Sequence, residues 1–127
     1  MKKGISIWSF PKDMSISDCI KLARHAGFDG IELALGLEGS LSIESSDNDV
    51  IRYRALAEKE GIEISSLATD LFWSYPFTSE KSEIREKAMS IAMKQLDIAA
   101  LLGVDTILVV PGAVGVDFIP SSEIVDY

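Results

Sequence analysis

The chain predicts an α/β fold on a parallel sheet, and three observations carry that expectation. Strand and helix segments alternate from Met1 through three units to a candidate fourth strand, TILVVPG, Thr106 to Gly112. Three helical segments each close on a glycine followed by a short hinge and a new strand, in AGFDGIEL, EGIEISSL and LGVDTILV. The length, 127 residues, suits one domain. Parallel strands separated by single helices build either a barrel or a doubly wound sheet. Crossover handedness alone does not separate the two. A closed eight-stranded barrel takes ~250 residues. As barrel material, residues 1–127 would therefore form a single partial domain of (βα)3β4 type, half a barrel truncated after its fourth strand.

The first strand is expected over GISIWSF, Gly4 to Phe10, with Ile5 and Ile7 on one face and Ser6 and Trp8 on the other. Pro11 ends it, because proline has no N–H to give a ladder. Ser15 or Ser17 caps a helix running to Ala26. Its apolar stripe is Ile16, Ile20, Leu22 and Ala23, and Gly27 stops it. GIELAL, Gly30 to Leu35, is the second strand, followed by a loop rich in Gly, Ser and Asp. Asp47 or Asn48 is the expected cap of a second helix that runs through VIRYRALAEKE to Gly61. IEISSLATDLF contains the third strand, and WSYPFTSEKS reads as an aromatic loop carrying Trp73, Tyr75 and Phe77. The third helix spans about Glu83 to Leu102, with Ile84, Ala88, Ile91, Ala92, Ala99 and Leu102 on one face and Gly103 closing it.

Hydrophobic residues make up 47% of the chain and charged residues 25%, enough apolar material for a core. The formal net charge of −8 argues against nucleic-acid or acidic-membrane binding, which takes a basic face. It leaves room for an anionic small substrate in a locally positive site. Cys19 is the single cysteine, so no disulfide forms within the chain, and a buried inert thiol is expected. MKKGISIWSF has two lysines but neither a long apolar core nor a small-residue cleavage site, so it is not read as a secretory signal. No apolar run approaches the ~20 residues of a membrane span. A cytoplasmic protein is the expectation.

The sequence carries no phosphate-loop motif, no G-x-G-x-x-G after the first strand, no C-x-x-C and no H-E-x-x-H. His25, the single histidine, belongs near the end of the first helix, where a cation suits the helix dipole. Glu32 is the most informative titratable residue. It stands between Ile31 and Leu33 in a strand that should be buried, where a carboxylate is costly unless bonded. It is either a structural carboxylate tied to a neighbouring strand or part of a substrate site. Trp8, Phe72, Trp73 and Tyr75 fall at or just beyond strand ends, where aromatics can wall a small polar molecule or simply pack. Pro111 and Gly112, ending the fourth strand, suit either a close backbone approach to a ligand or a tight turn. Trp8, Glu32, Trp73, Pro111 and Gly112 are thus the candidate substrate-binding residues. Arg85 opens the third helix, against the dipole, and is read as exposed in a charge run or held by a partner.

AGFDGIEL resembles the second-strand signature of the sugar phosphate isomerase/epimerase group, the xylose-isomerase-like barrels. The stretch SSLATDLFWSYPFTSEKSEIREKAMSIAMKQLDIAALLGVDTILVVPG is similar to that group's third-to-fourth-strand region. It shares the aromatic-Pro loop, the arginine near the helix start and the ALLGVDTILVVPG close. The resemblance covers nearly the whole chain. It implies the N-terminal half of a (β/α)8 TIM barrel that isomerises or epimerises sugars or sugar phosphates through an enediolate. It also implies a divalent metal, most often manganese, whose two Glu, one Asp and one His come from the second half of the barrel, outside this chain. The fragment alone would then be inactive, its catalytic residues remain unassigned, and it would supply one wall of the pocket. A non-catalytic half-barrel is the alternative. Its two open strand edges would pair with a second copy, as a homo-oligomer, or with a complementing half-barrel. An endonuclease IV-like repair barrel shares the fold, but the charge of −8 and the lone His25 on a helix speak against it.

Overall fold

A computed structural model describes residues 1–112 of the 127. Among these the order is β1 (Gly4–Ser6), a 3-10 turn (Ile7–Ser9), α1 (Ile16–His25), β2 (Gly30–Leu35), α2 (Asp47–Glu60), β3 (Glu63–Thr69), a short α3 (Leu71–Ser74) and α4 (Ser82–Leu102). The three strands are parallel and lie in the order β1-β2-β3.

The helices form where caps and stripes direct them. Ser15 accepts from the Asp18 N–H and opens α1. Ser46 does the same for the Asp49 N–H and opens α2, so the cap lies just before the expected Asp47 or Asn48. Gly61 and Gly103 end α2 and α4 with φ of 71° and 74°, a left-handed geometry that a side chain would strain. α4 begins at Ser82 with no side-chain cap. Arg85 is held in its first turn by donating to the Ser79 and Glu80 carbonyls at 2.7 and 2.8 Å, which explains a cation at this end.

Side-chain alternation on β2 divides the sheet into two faces. Ile31, Leu33 and Leu35 are buried, whereas Glu32 and Ala34 are half-buried on the other side. One core cluster joins those three residues to Cys19, Ile20 and Ala23 of α1, to Val50 and Ala57 of α2, and to Ile98, Ala99 and Leu102 of α4. All three long helices therefore cover the same face. With strands in sequence order, that is the winding of a barrel; a doubly wound sheet places helices on both faces.

Two expected elements differ. The first strand stops at Ser6 and the chain turns, because Ser6 accepts from the Trp8 N–H and Phe10 bonds back to the Ile7 carbonyl. The fourth strand is realised as one isolated parallel bridge, Leu67 to Ile107. The Leu67 N–H donates to Thr106 and the Leu108 N–H to Leu67. α4 reinforces the contact: the amide nitrogen of the buried Gln95 donates to the Leu67 and Leu108 carbonyls at 3.0 and 3.1 Å. Among the described residues no helix is long and apolar enough to cross a membrane.

Candidate functional site

The C-terminal ends of β1, β2 and β3 meet in a cavity of about 540 Å³. Each strand end supplies one wall. After β1 come Ile7, Trp8, Phe10 and Lys12; after β2, Gly36, Glu38, Ser40 and Leu41; after β3, Asp70. The β2 wall exists because the loop doubles back. The Gly36 N–H donates to Leu41, the Ile43 N–H returns to Gly36, and Tyr53 of α2 donates from its hydroxyl to the Ser40 carbonyl. The Thr69 hydroxyl ties the β3 end to β2 by donating to the Leu35 carbonyl at 2.8 Å, and its own oxygen accepts from the Leu71 N–H. The cavity thus combines an indole, an ammonium and two carboxylates on an apolar bed. Such a mixture suits a small polar molecule with one apolar side.

Trp8 is at this cavity and 54% exposed. Glu32 is not in its wall but shares the uncovered sheet face with Ala34, which is. Glu32 accepts from the Ser66 hydroxyl of β3 at 2.8 Å, the tie to a neighbouring strand expected of a structural carboxylate. It is half-buried, less enclosed than its neighbours imply. Trp73 stands on α3, is 38% exposed and does not line this cavity. Phe72 is a core residue: it is 1% exposed, and its ring lies 4.9 Å from that of Phe77. Pro111 accepts from the Phe77 N–H at 2.8 Å. A Cβ at Gly112 would strike the Thr78 side chain, so the close approach at Gly112 is internal to the chain.

Lys12, Glu38 and Asp70 were not singled out in the sequence. Only Asp70 had a usable signal, its place directly after a strand. Cys19 also borders the cavity from α1, and burial with the nearby Asp18 pushes its thiol pKa up. Among the described residues no three His, Cys, Asp or Glu side chains come together to hold a metal ion.

Comparison with known proteins gives the chain its relatives. A family model described as xylose isomerase-like TIM barrel matches residues 20–124. A curated protein of Haemophilus influenzae, named provisionally as an L-ribulose-5-phosphate 3-epimerase, is 29% identical over 108 residues, 84% of this chain and 38% of that protein. A D-psicose 3-epimerase crystallised in the presence of D-fructose superposes with a TM-score of 0.69 at 25% identity, covering 84% of this chain and 36% of that one. The D-psicose 3-epimerase of Clostridium cellulolyticum H10 gives 0.68 at 21% identity, again over 84% and 36%, a likeness of fold alone. The chain spans little more than a third of the length of these relatives.

Proposed function

The chain belongs to the xylose isomerase-like TIM barrel family, and from that premise we propose that it provides the first wall of a sugar isomerase or epimerase site. The observation that carries this reading is the cavity at the C-terminal ends of β1–β3. In closed barrels that end holds the active site, and the relatives are epimerases of ketoses and ketose phosphates. The Trp8 indole offers a flat apolar face for the C–H side of a sugar. Lys12 donates to hydroxyl or phosphate oxygens, and Asp70 and Glu38 accept from hydroxyls. The reaction of this reading moves a proton on the carbon beside the ketose carbonyl through an enediolate, by general acid–base transfer.

We assign none of the described residues as the proton carrier; their part is binding and orientation. The divalent metal implied by the resemblance finds no donor set of three His, Cys, Asp or Glu side chains among residues 1–112. In this reading residues 1–127 act as one partial domain that binds substrate without turning it over. The lone reduced thiol suits the cytoplasm.

Trp8 makes the binding testable. With Trp73→Phe, Trp8 is the single remaining indole of the two in the chain. Titration with D-fructose, D-psicose and L-ribulose 5-phosphate is expected to give a saturable change in its fluorescence with at least one ketose. A folded variant whose emission responds to none of them would overturn the reading.

A second reading, a non-catalytic half-barrel that pairs with a second copy or a complementing chain, has its own observation. Met89, Met93 and Leu96 form an exposed apolar stripe on α4, away from the buried face of that helix.

A further inference from the structure

β3 carries one residue more than β2 between the pairs Ile31–Ile64 and Glu32–Ser66. Ser65 is that extra residue. Without the bulge, alternation would place Ser65 opposite Glu32, turn Ser66 toward the helices and expel Leu67 onto the uncovered face. With it, Leu67 keeps its core place at 0% exposure and Ser66 faces Glu32. Ser65 is not lost to that face either. Its Cβ lies 3.3 Å from where a Cβ on residue 30 would stand, so glycine at that position makes the room. Bulges are rare in parallel ladders and are enriched beside active sites, where they re-aim a side chain.

The result is a polar row across the uncovered face. Ser6 of β1, Glu32 of β2 and Ser66 of β3 are register partners. The next row toward the cavity, Ala34 with Ala68, carries only methyl groups, and Ala34 already lines the cavity. Two strand residues span about 6.6 Å, so Glu32 stands one row beneath the cavity.

We infer that Ser66, delivered by the bulge at Ser65, is a positioning residue that holds the Glu32 carboxylate ready to accept hydrogen bonds from sugar hydroxyls. The Ser66 hydroxyl occupies Oε2 of Glu32 at 2.8 Å and sets the plane of the carboxylate. Ser6, whose hydroxyl accepts from the Trp8 N–H, stands on the same row. The inference deepens the sugar-site reading above and rests on it for the identity of the ligand.

The experiment uses the full chain with ¹³C-labelled glutamate and follows the Glu32 Cδ resonance in Ser66→Ala and Ser66→Thr. Ketose binding is read from Trp8 emission with the same ketoses, in the Trp73→Phe background. Ser66→Ala is expected to move the Glu32 resonance and weaken ketose binding about tenfold, the scale of one lost hydrogen bond to a charged group. Ser66→Thr, which keeps the hydroxyl, is expected to restore both. Adding Ser66→Ala to Glu32→Gln is expected to cost nothing more. An unmoved Glu32 resonance in Ser66→Ala overturns the inference. So does unchanged binding in Ser66→Ala when Glu32→Gln abolishes it, an outcome that leaves the sugar site standing. If the parent chain binds no ketose, the sugar reading falls and with it the role of Glu32 as a sugar acceptor, whatever the resonance does.

Discussion

Cys19 shows what burial does to one side chain. Its neighbours in the core leave it 1% exposed, and burial first, with Asp18 second, pushes its thiol above the ordinary value of 9.0. The folded chain therefore keeps a proton that the unfolded chain releases. That contribution to stability is complete below pH 9.0 and is lost as pH rises through the higher folded value. Cys19→Ala is expected to flatten the alkaline limb of a stability–pH curve measured by urea unfolding. In the parent chain, iodoacetamide at pH 8 is expected to label Cys19 at least ~100-fold more slowly than in urea, since a buried protonated thiol reacts only on opening. A thiol labelled at equal rates in both conditions contradicts this account. Residues of one type part company here as well. Phe72 and Trp8 both follow strand ends, yet one fills the core and the other opens onto a cavity. Composition does not distinguish them, because the difference is which way a turn of three or four residues points each ring.

Among the elements, the segment after α4 depends most on tertiary contact. TILVVPG reads as a strand, and its β-branched residues earn that reading. In the fold it keeps one bridge to β3, assisted by an amide from a helix. Gln95 was hidden in the sequence because a glutamine on a helix is ordinary; its burial at 0% exposure is not. Its oxygen Oε1 is buried with no partner among the described residues, so the contacts this side chain makes to the segment run through its nitrogen. Gln95→Leu removes that orphan but strips the Leu108 carbonyl of this donor. The net loss of stability is expected to be about 1 kcal/mol in urea unfolding. Amide exchange carries the sharper readout: Leu108 should exchange faster, while Leu33 in β2 keeps its protection. Equal acceleration at both positions would show that Gln95 supports the whole core and not this segment.

At the scale of the whole molecule, one-sided helix coverage leaves the Ser6–Glu32–Ser66 face of the sheet without a helical layer among the described residues, and the stripe on α4 is exposed as well. Parallel sheets are ordinarily covered on both faces. Light scattering on the purified chain is therefore expected to return a multiple of 13.8 kDa. In that case, Met93→Glu with Leu96→Glu should lower the mass without lowering the melting temperature. A folded monomer at micromolar concentration would remove the pairing reading and leave the sugar-site reading untouched. The α/β class, the helix stops at Gly27, Gly61 and Gly103 and all of β2 are legible in the amino-acid sequence, because periodicity, capping and glycine act through near neighbours in the chain. That sequence also carried the family resemblance. Tertiary structure alone decided that the helices share one face, that Ser65 bulges so that Ser66 meets Glu32, that Trp8 turns into a cavity with Lys12 and Asp70, and that Gln95 reaches across to the sheet. Those outcomes depend on residues distant in the chain, 28 positions for Gln95 and Leu67, 34 for Glu32 and Ser66 and 62 for Trp8 and Asp70, or on a one-residue change of register, and a local pattern holds no record of either.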